Sequence, residues 1–170
     1  MYLKNYIPKL KKKYSKILFT NISFDSSKVK TNDIFFAIKG EKYDGNSYIN
    51  HAIRNGAKVI VTQKKIVKKT DNIIFLHSSN VRKLLANISY KIFSKKPKKL
   101  IAVTGTNGKS SVSDFYYQIL NLSKKKSASI GTIGVQYDNK TKPISNTTLD
   151  PIQLREILVN LVKRNKNNII

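Results

Sequence analysis

The sequence predicts an α/β protein: a small mixed α/β domain over residues 1–96, followed by the beginning of a parallel-sheet domain over residues 97–170. Three observations predict it. Short β-rich runs alternate with stretches of 3.6-residue apolar period, the pattern of strand–helix–strand units. The polar stretch "KKPKK" (95–99) interrupts that alternation; a proline among lysines neither continues a helix nor enters a core, which places a boundary near Pro97. The alternation then restarts with "LIAVTG" and is still incomplete at "NNII", the first residues of a further strand.

The elements follow in order. "DIFFAIKG" and "AKVIVTQ" are strands, rich in β-branched and aromatic residues. Between them "SYINHAIRNGA" places Ile49, Ala52 and Ile53 on one helix face, with Ser47 as N-cap and Gly56 as the stop. "NIIFLH" is the next strand. "SNVRKLLANISYKIFS" carries Val81, Leu84, Leu85, Ile88 and Ile92 at helical spacing, with Ser79 placed to cap it. Beyond the boundary, "LIAVTG" has the continuous apolar character of a strand buried on both faces. "GKSSVSDFYYQILNLS" is a helix with Val112, Phe115, Tyr116 and Ile119 on one face, and "KSASIGTIGVQYD" reads as one more strand. "DPIQLREILVNLVKRN" is a helix with Asp150 as N-cap, Pro151 at its first position and Gln153 placed for a capping box. Its apolar face is Leu154, Ile157, Leu158 and Leu161.

Composition narrows the function. With 40 % hydrophobic residues, nine Tyr and seven Phe, the chain is globular in type. It has no Cys, which excludes disulfides, cysteine zinc sites and a cysteine nucleophile, and fits a reducing compartment. No apolar run is long enough to span a membrane, and the basic start "MYLKNYIPKLKKKYSKILF" lacks the apolar segment of a secretory signal, so a cytoplasmic location is expected. The net charge of +24 invites a nucleic-acid reading. Against it, only four of the 33 basic residues are Arg, the lysines scatter over loops and element ends, and no nucleic-acid-binding motif accompanies them. AT-biased codon usage accounts for that pattern, and nucleic acid is not the expected partner.

The strongest local signal is "VTGTNGKSS", between an apolar strand and an amphipathic helix. Unpaired N–H groups at a helix N-terminus carry the positive end of the helix dipole and bind anions. Gly105 and Gly108 allow the backbone of Gly105, Thr106, Asn107, Gly108, Lys109, Ser110 and Ser111 to wrap phosphate oxygens closely. Lys109 adds a cation for the β- and γ-phosphates, and the Ser110 hydroxyl is a hard oxygen suited to Mg²⁺. The strict G-x-x-x-x-G-K-[ST] pattern fails by one residue, because Val103 stands where its first glycine belongs. The strand–turn–helix setting still predicts a nucleotide triphosphate loop.

"VTGTNGKSS" resembles the ATP loop of the Mur ligases and their relative folylpolyglutamate synthase. The stretch "FDSSKVKTNDIFFAIKGEKYDGNSYINHAIRNGAKVIVTQ" (24–63) resembles the UDP-binding N-terminal domain of the Mur ligases that add the third peptide residue or the terminal dipeptide. "IGTIGVQYDN" followed by "SNTTLDPIQLREIL" is similar to the MurE type, which adds the third residue. The resemblance implies a UDP-binding domain followed by part of a P-loop-containing parallel-sheet ATPase domain. It also implies site residues. Phe24 and Ser26 would hold the uridine end, with Glu41, Lys42 and Tyr43 lining the same nucleotide site. Residues Gly105 to Ser111 would hold ATP, with Lys109 catalytic and Ser110 on Mg²⁺. Asn146, Thr147 and Thr148 would contact the muramoyl-peptide. Read from the residues alone, Lys42 is equally a solvated charge and Phe24 equally a core residue. His51 and His77 match no functional position; they read as a surface His on a helix and a polar strand end.

The implied reaction is ATP-driven amide synthesis: the D-Glu carboxylate of UDP-MurNAc-L-Ala-D-Glu forms an acyl phosphate, and meso-diaminopimelate or L-lysine displaces the phosphate. The implied enzyme is a cytoplasmic monomer. The related dipeptide-adding ligase and a non-catalytic UDP-sugar-binding module are the alternatives, with a basic nucleic-acid-binding protein the weakest. Two local departures stand out. The family's Asp-Ser-Arg is Asp25-Ser26-Ser27 here, and its Gly-Asp turn is Asn32-Asp33, where Asn tolerates left-handed geometry. In the family, further metal ligands, a carbamylated Lys and a C-terminal domain lie beyond the point matching residue 170, so the resemblance implies an N-terminal fragment inactive on its own.

Overall fold

Strands β1 (Ile22–Ser23), β2 (Asp33–Phe36), β3 (Ala57–Thr62) and β4 (Ile74–His77) form an all-parallel sheet in that spatial order. The computed structural model describes residues 1–7, 10–40, 43–64, 72–93, 95–144 and 149–170 and divides into two units, Met1–Lys91 and Ile92–Ile170. In the first, β2 is buried along its whole length, as a parallel strand covered on both faces must be. The polar residue in it, Asp33, is used by the turn before the strand: its Oδ2 accepts from the Lys30 N–H at 2.9 Å. Asn32 takes the left-handed conformation at φ 66°, as the asparagine-for-glycine exchange requires.

Helix α1 (Ile49–Arg54) connects β2 to β3 and buries Ala52, with Ile49 and Ile53 packed beside it, against Phe35, Ala37 and Ile60. Ser47 does not cap it. A 3-10 turn over Gly45–Tyr48 precedes the helix, and Asp44 caps that turn by accepting from the Asn46 N–H. Gly56, at φ 104°, ends α1 as expected. Helix α2 (Val81–Ile92) buries Val81, Leu85, Ile88 and Ser89; Asn80, not Ser79, caps it through Oδ1 and the Lys83 N–H at 2.8 Å. Residues 1–7 and 10–19 pair back on one another, Leu3 N–H to Ile17 O and Phe19 N–H to Met1 O, with Leu3 and Phe19 buried.

The second unit holds a mixed sheet of β5 (Lys99–Leu100), β6 (Ser127–Gly131), β7 (Gly134–Tyr137), β8 (Lys140–Lys142) and β9 (Asn168–Ile169), ordered β5-β9-β6-β7-β8. β5, β9 and β6 are parallel, while β7 and β8 add antiparallel hairpins. The single strand expected around residues 126–138 is therefore two, and a third follows. Asp138 and Asn139 both sit at positive φ, 48° and 56°, the conformation of a two-residue hairpin turn that matches strand twist. Helix α4 (Pro151–Lys163) has the expected N-cap and Pro151 at its first position: Asp150 Oδ1 accepts from the Ile152 and Gln153 N–H groups at 2.9 and 3.0 Å, while the reciprocal Gln153 side-chain bond of a capping box is not formed. Its Leu158 and Leu161 pack with Ala128, Val135, Tyr137 and Ile169.

Two burial expectations fail here. Among the described residues β5 is an edge strand of two exposed residues, paired with β9 alone, so "LIAVTG" is not a strand covered on both sides. Helix α3 (Lys109–Leu122) forms where predicted, yet its apolar face lies open: Val112, Phe115 and Ile119 are more than half exposed, and only Tyr117 is buried. Amphipathic spacing makes a face able to be buried; it does not supply the neighbour that buries it.

Candidate functional site

The loop Gly105–Ser111 stands exposed at the N-terminus of α3. Gly108 occupies the N-cap position in the left-handed conformation, φ 76°, and no side chain caps the helix there. A Cβ on Gly108 meets no atom within 4 Å, so the position demands the backbone conformation rather than the space. The first helical hydrogen bond, Val112 N–H to Gly108 O at 2.9 Å, leaves the preceding N–H groups at the helix mouth, where the dipole favours an anion. Lys109 folds back across the loop, its Nζ donating to Gly105 O at 2.5 Å and Thr106 O at 3.0 Å.

Beside this loop lies a cleft of about 600 Å³, walled by Lys109, Ser110 and Asp114 from α3 and by Ser129 and Gln136 from the β6–β7 hairpin. Leu149, the first described residue after Asn146, Thr147 and Thr148, also lines it. Those three residues, like Glu41 and Lys42, lie outside the described residues. Among the described residues no three His, Cys, Asp or Glu side chains converge as a metal site. The loop itself carries hydroxyl oxygens at Thr106, Ser110 and Ser111, the hard donor type that suits a cation such as Mg²⁺.

In the first unit, Phe24 and Ser26 follow β1, and Tyr43 lies in the loop after β2. Because β1 and β2 are adjacent and parallel, these loops share the carboxyl edge of the sheet, where open α/β sheets bind ligands. Phe24 is 38 % exposed and Tyr43 71 %, so Phe24 is not a core residue. Ser26 is buried; the His51 Nδ1 lies 2.9 Å from its Oγ, and Asn55 Nδ2 donates to Ser26 O at 2.8 Å. His77 is exposed at the end of β4.

Two aspartates shape this edge. The Ser27 hydroxyl, then its backbone N–H and the Lys28 ammonium, hold the Asp25 carboxyl below the usual carboxylate range, against partial burial that pushes it up. The backbone N–H and side chain of Asn46 do the same for Asp44, helped by Lys64 and Lys39. Asn46 in turn accepts from the Thr62 hydroxyl at the end of β3, and Lys64 Nζ lies 3.7 Å from Asp44. Sequence reasoning missed this network because Asn46, Thr62 and Lys64 belong to no motif. It also missed Arg155, buried in α4 and donating to Phe93 O at 2.5 Å and Lys95 O at 3.3 Å. Its place three residues before Leu158 was the available signal.

Residues 18–96 match the catalytic domain of the Mur ligase family, and residues 103–170 match the Mur ligase middle domain. A UDP-N-acetylmuramoyl-L-alanyl-D-glutamate–2,6-diaminopimelate ligase of Rickettsia prowazekii is 41 % identical over 146 residues, covering 84 % of this chain and 30 % of that protein. The ligase of the same name from Buchnera aphidicola is 34 % identical over 160 residues, covering 89 % of this chain and 32 % of that one. A solved structure of such a ligase superposes with TM-score 0.80 at 24 % identity, covering 99 % of this chain and 35 % of its own, and a MurF ligase from Thermotoga maritima in complex with ADP reaches 0.52. These two likenesses are of fold. The chain spans about 30 % of the length of the curated relatives it matches.

Proposed function

The chain belongs to the Mur ligase family, and from that premise we propose that it supplies the substrate- and ATP-binding parts of a ligase that adds diaminopimelate to UDP-MurNAc-L-Ala-D-Glu in the cytoplasm. Residues 1–96 bind the UDP end of the substrate, at the loops carrying Phe24, Ser26, Glu41, Lys42 and Tyr43. Residues 97–170 bind ATP at Gly105–Ser111 and the muramoyl-peptide at Asn146, Thr147 and Thr148. The observation that carries this reading is the glycine-shaped, uncapped N-terminus of α3 with Lys109 laid across it, within the stretch matching the middle domain. The names of the relatives favour diaminopimelate over L-lysine as the added residue.

The chemistry assigns few tasks to side chains. The N–H groups of the loop orient the triphosphate, and Lys109 leaves its two carbonyls to neutralise the β- and γ-phosphates. The Ser110 hydroxyl would help hold Mg²⁺, which when bound would supply further charge neutralisation. The D-Glu carboxylate attacks the γ-phosphorus and ADP departs, leaving an acyl phosphate. The deprotonated amine of diaminopimelate then attacks the acyl carbon, forming the amide and releasing phosphate. Such transfer depends on positioning and charge more than on covalent help from the protein. The 600 Å³ cleft beside Lys109 is where the acyl end would lie. Turnover belongs to a ligase of the relatives' length, and the open apolar face of α3 is a surface that further parts of its central domain would cover.

Calorimetry tests the reading. The chain should bind UDP-MurNAc-L-Ala-D-Glu and, independently, Mg-ATP; Lys109→Ala should abolish the second while leaving the first intact. Binding of neither ligand at millimolar concentration overturns the assignment, and joint loss of both in Lys109→Ala overturns the division of labour between the units.

A further inference from the structure

We propose that His51 and Asn55 are positioning residues for the uridine end of the substrate, and that His51 works as the Nδ1–H tautomer, which leaves the Ser26 hydroxyl proton for the ligand. The inference rests on the reading of residues 1–96 as the UDP-binding domain.

The geometry is a two-point clamp. His51 and Asn55 are four residues apart, on one side of α1 and its C-terminus. One reaches the Ser26 hydroxyl at 2.9 Å and the other donates to the Ser26 carbonyl at 2.8 Å. On its other side α1 is fixed to the sheet through Ile49, Ala52 and Ile53, packed with Phe35, Ala37 and Ile60. The loop after β1 is thus anchored to the sheet twice, once by its own strand and once through α1. A loop so held presents its ligand-facing groups with little entropy left to lose on binding.

The tautomer follows from counting protons. A serine hydroxyl has one proton to give and two lone pairs to accept with. With a bare Nδ1, the Ser26 proton is consumed inside the protein and Ser26 faces the ligand as an acceptor only. With Nδ1–H donating, the lone pair is used and the proton is free. A uridine diphosphate presents mainly acceptors on this scale, two pyrimidine carbonyls and the phosphate oxygens, so its binding selects the Nδ1–H form. The Asn55 orientation is set independently, because a carbonyl can be met only by its amide nitrogen.

The test uses the whole chain. It has two histidines, so a His77→Gln background leaves one imidazole to observe. Two-bond ¹H–¹⁵N spectra at about pH 8, above the ordinary imidazole range, should show His51 protonated on Nδ1 in the complex saturated with UDP-MurNAc-L-Ala-D-Glu. A bare Nδ1 in that complex overturns the tautomer and with it the proposal. By calorimetry, His51→Ala should weaken UDP-substrate binding about tenfold, as loss of one positioning hydrogen bond does. His51→Asn, whose amide reaches the place of Nδ1, should restore it, and both variants should keep wild-type ATP affinity. Wild-type affinity in His51→Ala overturns the proposal while leaving the domain reading in place. A wild-type chain that binds ATP but no UDP-substrate overturns the domain reading, and this inference falls with it.

Discussion

Gly45→Ala tests how tightly the loop after β2 is fitted to the sheet. The Gly45 N–H donates to Ile38 O at 2.9 Å, drawing the loop against the chain leaving β2. A Cβ built on Gly45 would lie 2.7 Å from both the N and the O of Ile38, and 3.1 Å from the Ala37 carbonyl carbon. Ordinary contact begins at 3.4 Å, so backbone must move by about 0.7 Å. Neither Ile38 nor Ala37 can yield by a rotamer change, because the clashing atoms are main chain continuous with β2. Overpacking of this kind costs about 1–3 kcal/mol. The glycine is needed for close approach and not for a left-handed backbone, which separates it from Gly108. Urea unfolding followed by circular dichroism should show the first unit losing that 1–3 kcal/mol, with UDP-substrate binding weakened and ATP binding unchanged. Stability within about 0.5 kcal/mol of wild type, the range of surface substitutions, would refute the steric argument. Gly108→Ala is the matched contrast: it meets no atom within 4 Å, so it should cost only the left-handed strain of about 1–2 kcal/mol and should impair ATP binding instead.

Asp150→Ala removes the acceptor of two N–H groups at the start of α4 and should destabilise the second unit by about 0.5–2 kcal/mol in the same unfolding assay. Phe115→Ser should cost under about 1 kcal/mol, because the ring is 62 % exposed; a loss of about 3–5 kcal/mol, the cost at a core aromatic, would mean that α3 is covered. The folded-state values of Asp25 and Asp44 are depressed, so their contribution to stability is complete above the ordinary carboxylate range, near pH 4, and disappears as the pH falls through the lower folded values. Acid titration of the unfolding midpoint should therefore show a loss below about pH 4 that is shallower in Asp25→Asn, and an identical acid limb in the variant would contradict the hydrogen-bond assignment.

Much of the fold was legible because its signals are local. Asp150 and Pro151 announce the start of α4 through the chemistry of one helix end, and Asn32 announces its turn through a single backbone conformation. Three of the four strands of the first unit declare themselves by short apolar runs, whereas β1, two residues long, leaves no run to detect. The hairpins of the second unit were less visible, because Asp138-Asn139 lacks the glycine that usually marks such a turn and Gly131 and Gly134 lie inside what reads as one run. Ser47 and Ser79 lie beside the residues that do the capping, Asp44 at the 3-10 turn before α1 and Asn80 at α2; oxygen acceptors a few residues apart are separated only by where the first turn begins.

The sequence by itself determined the alternation of strands and helices, the glycine-shaped loop before Lys109 and the family to which the chain belongs, since each is written in contiguous residues. The tertiary structure alone decided that Ser26 is held by His51 and Asn55, that Gly45 lies against Ile38, and that β5 and the apolar face of α3 are left uncovered within the described residues. Ser26 lies 25 residues before His51 and 29 before Asn55, and pairs so separated leave no period or composition to detect. An apolar stripe records a capacity for burial, and only packing decides whether a neighbour is present to fulfil it.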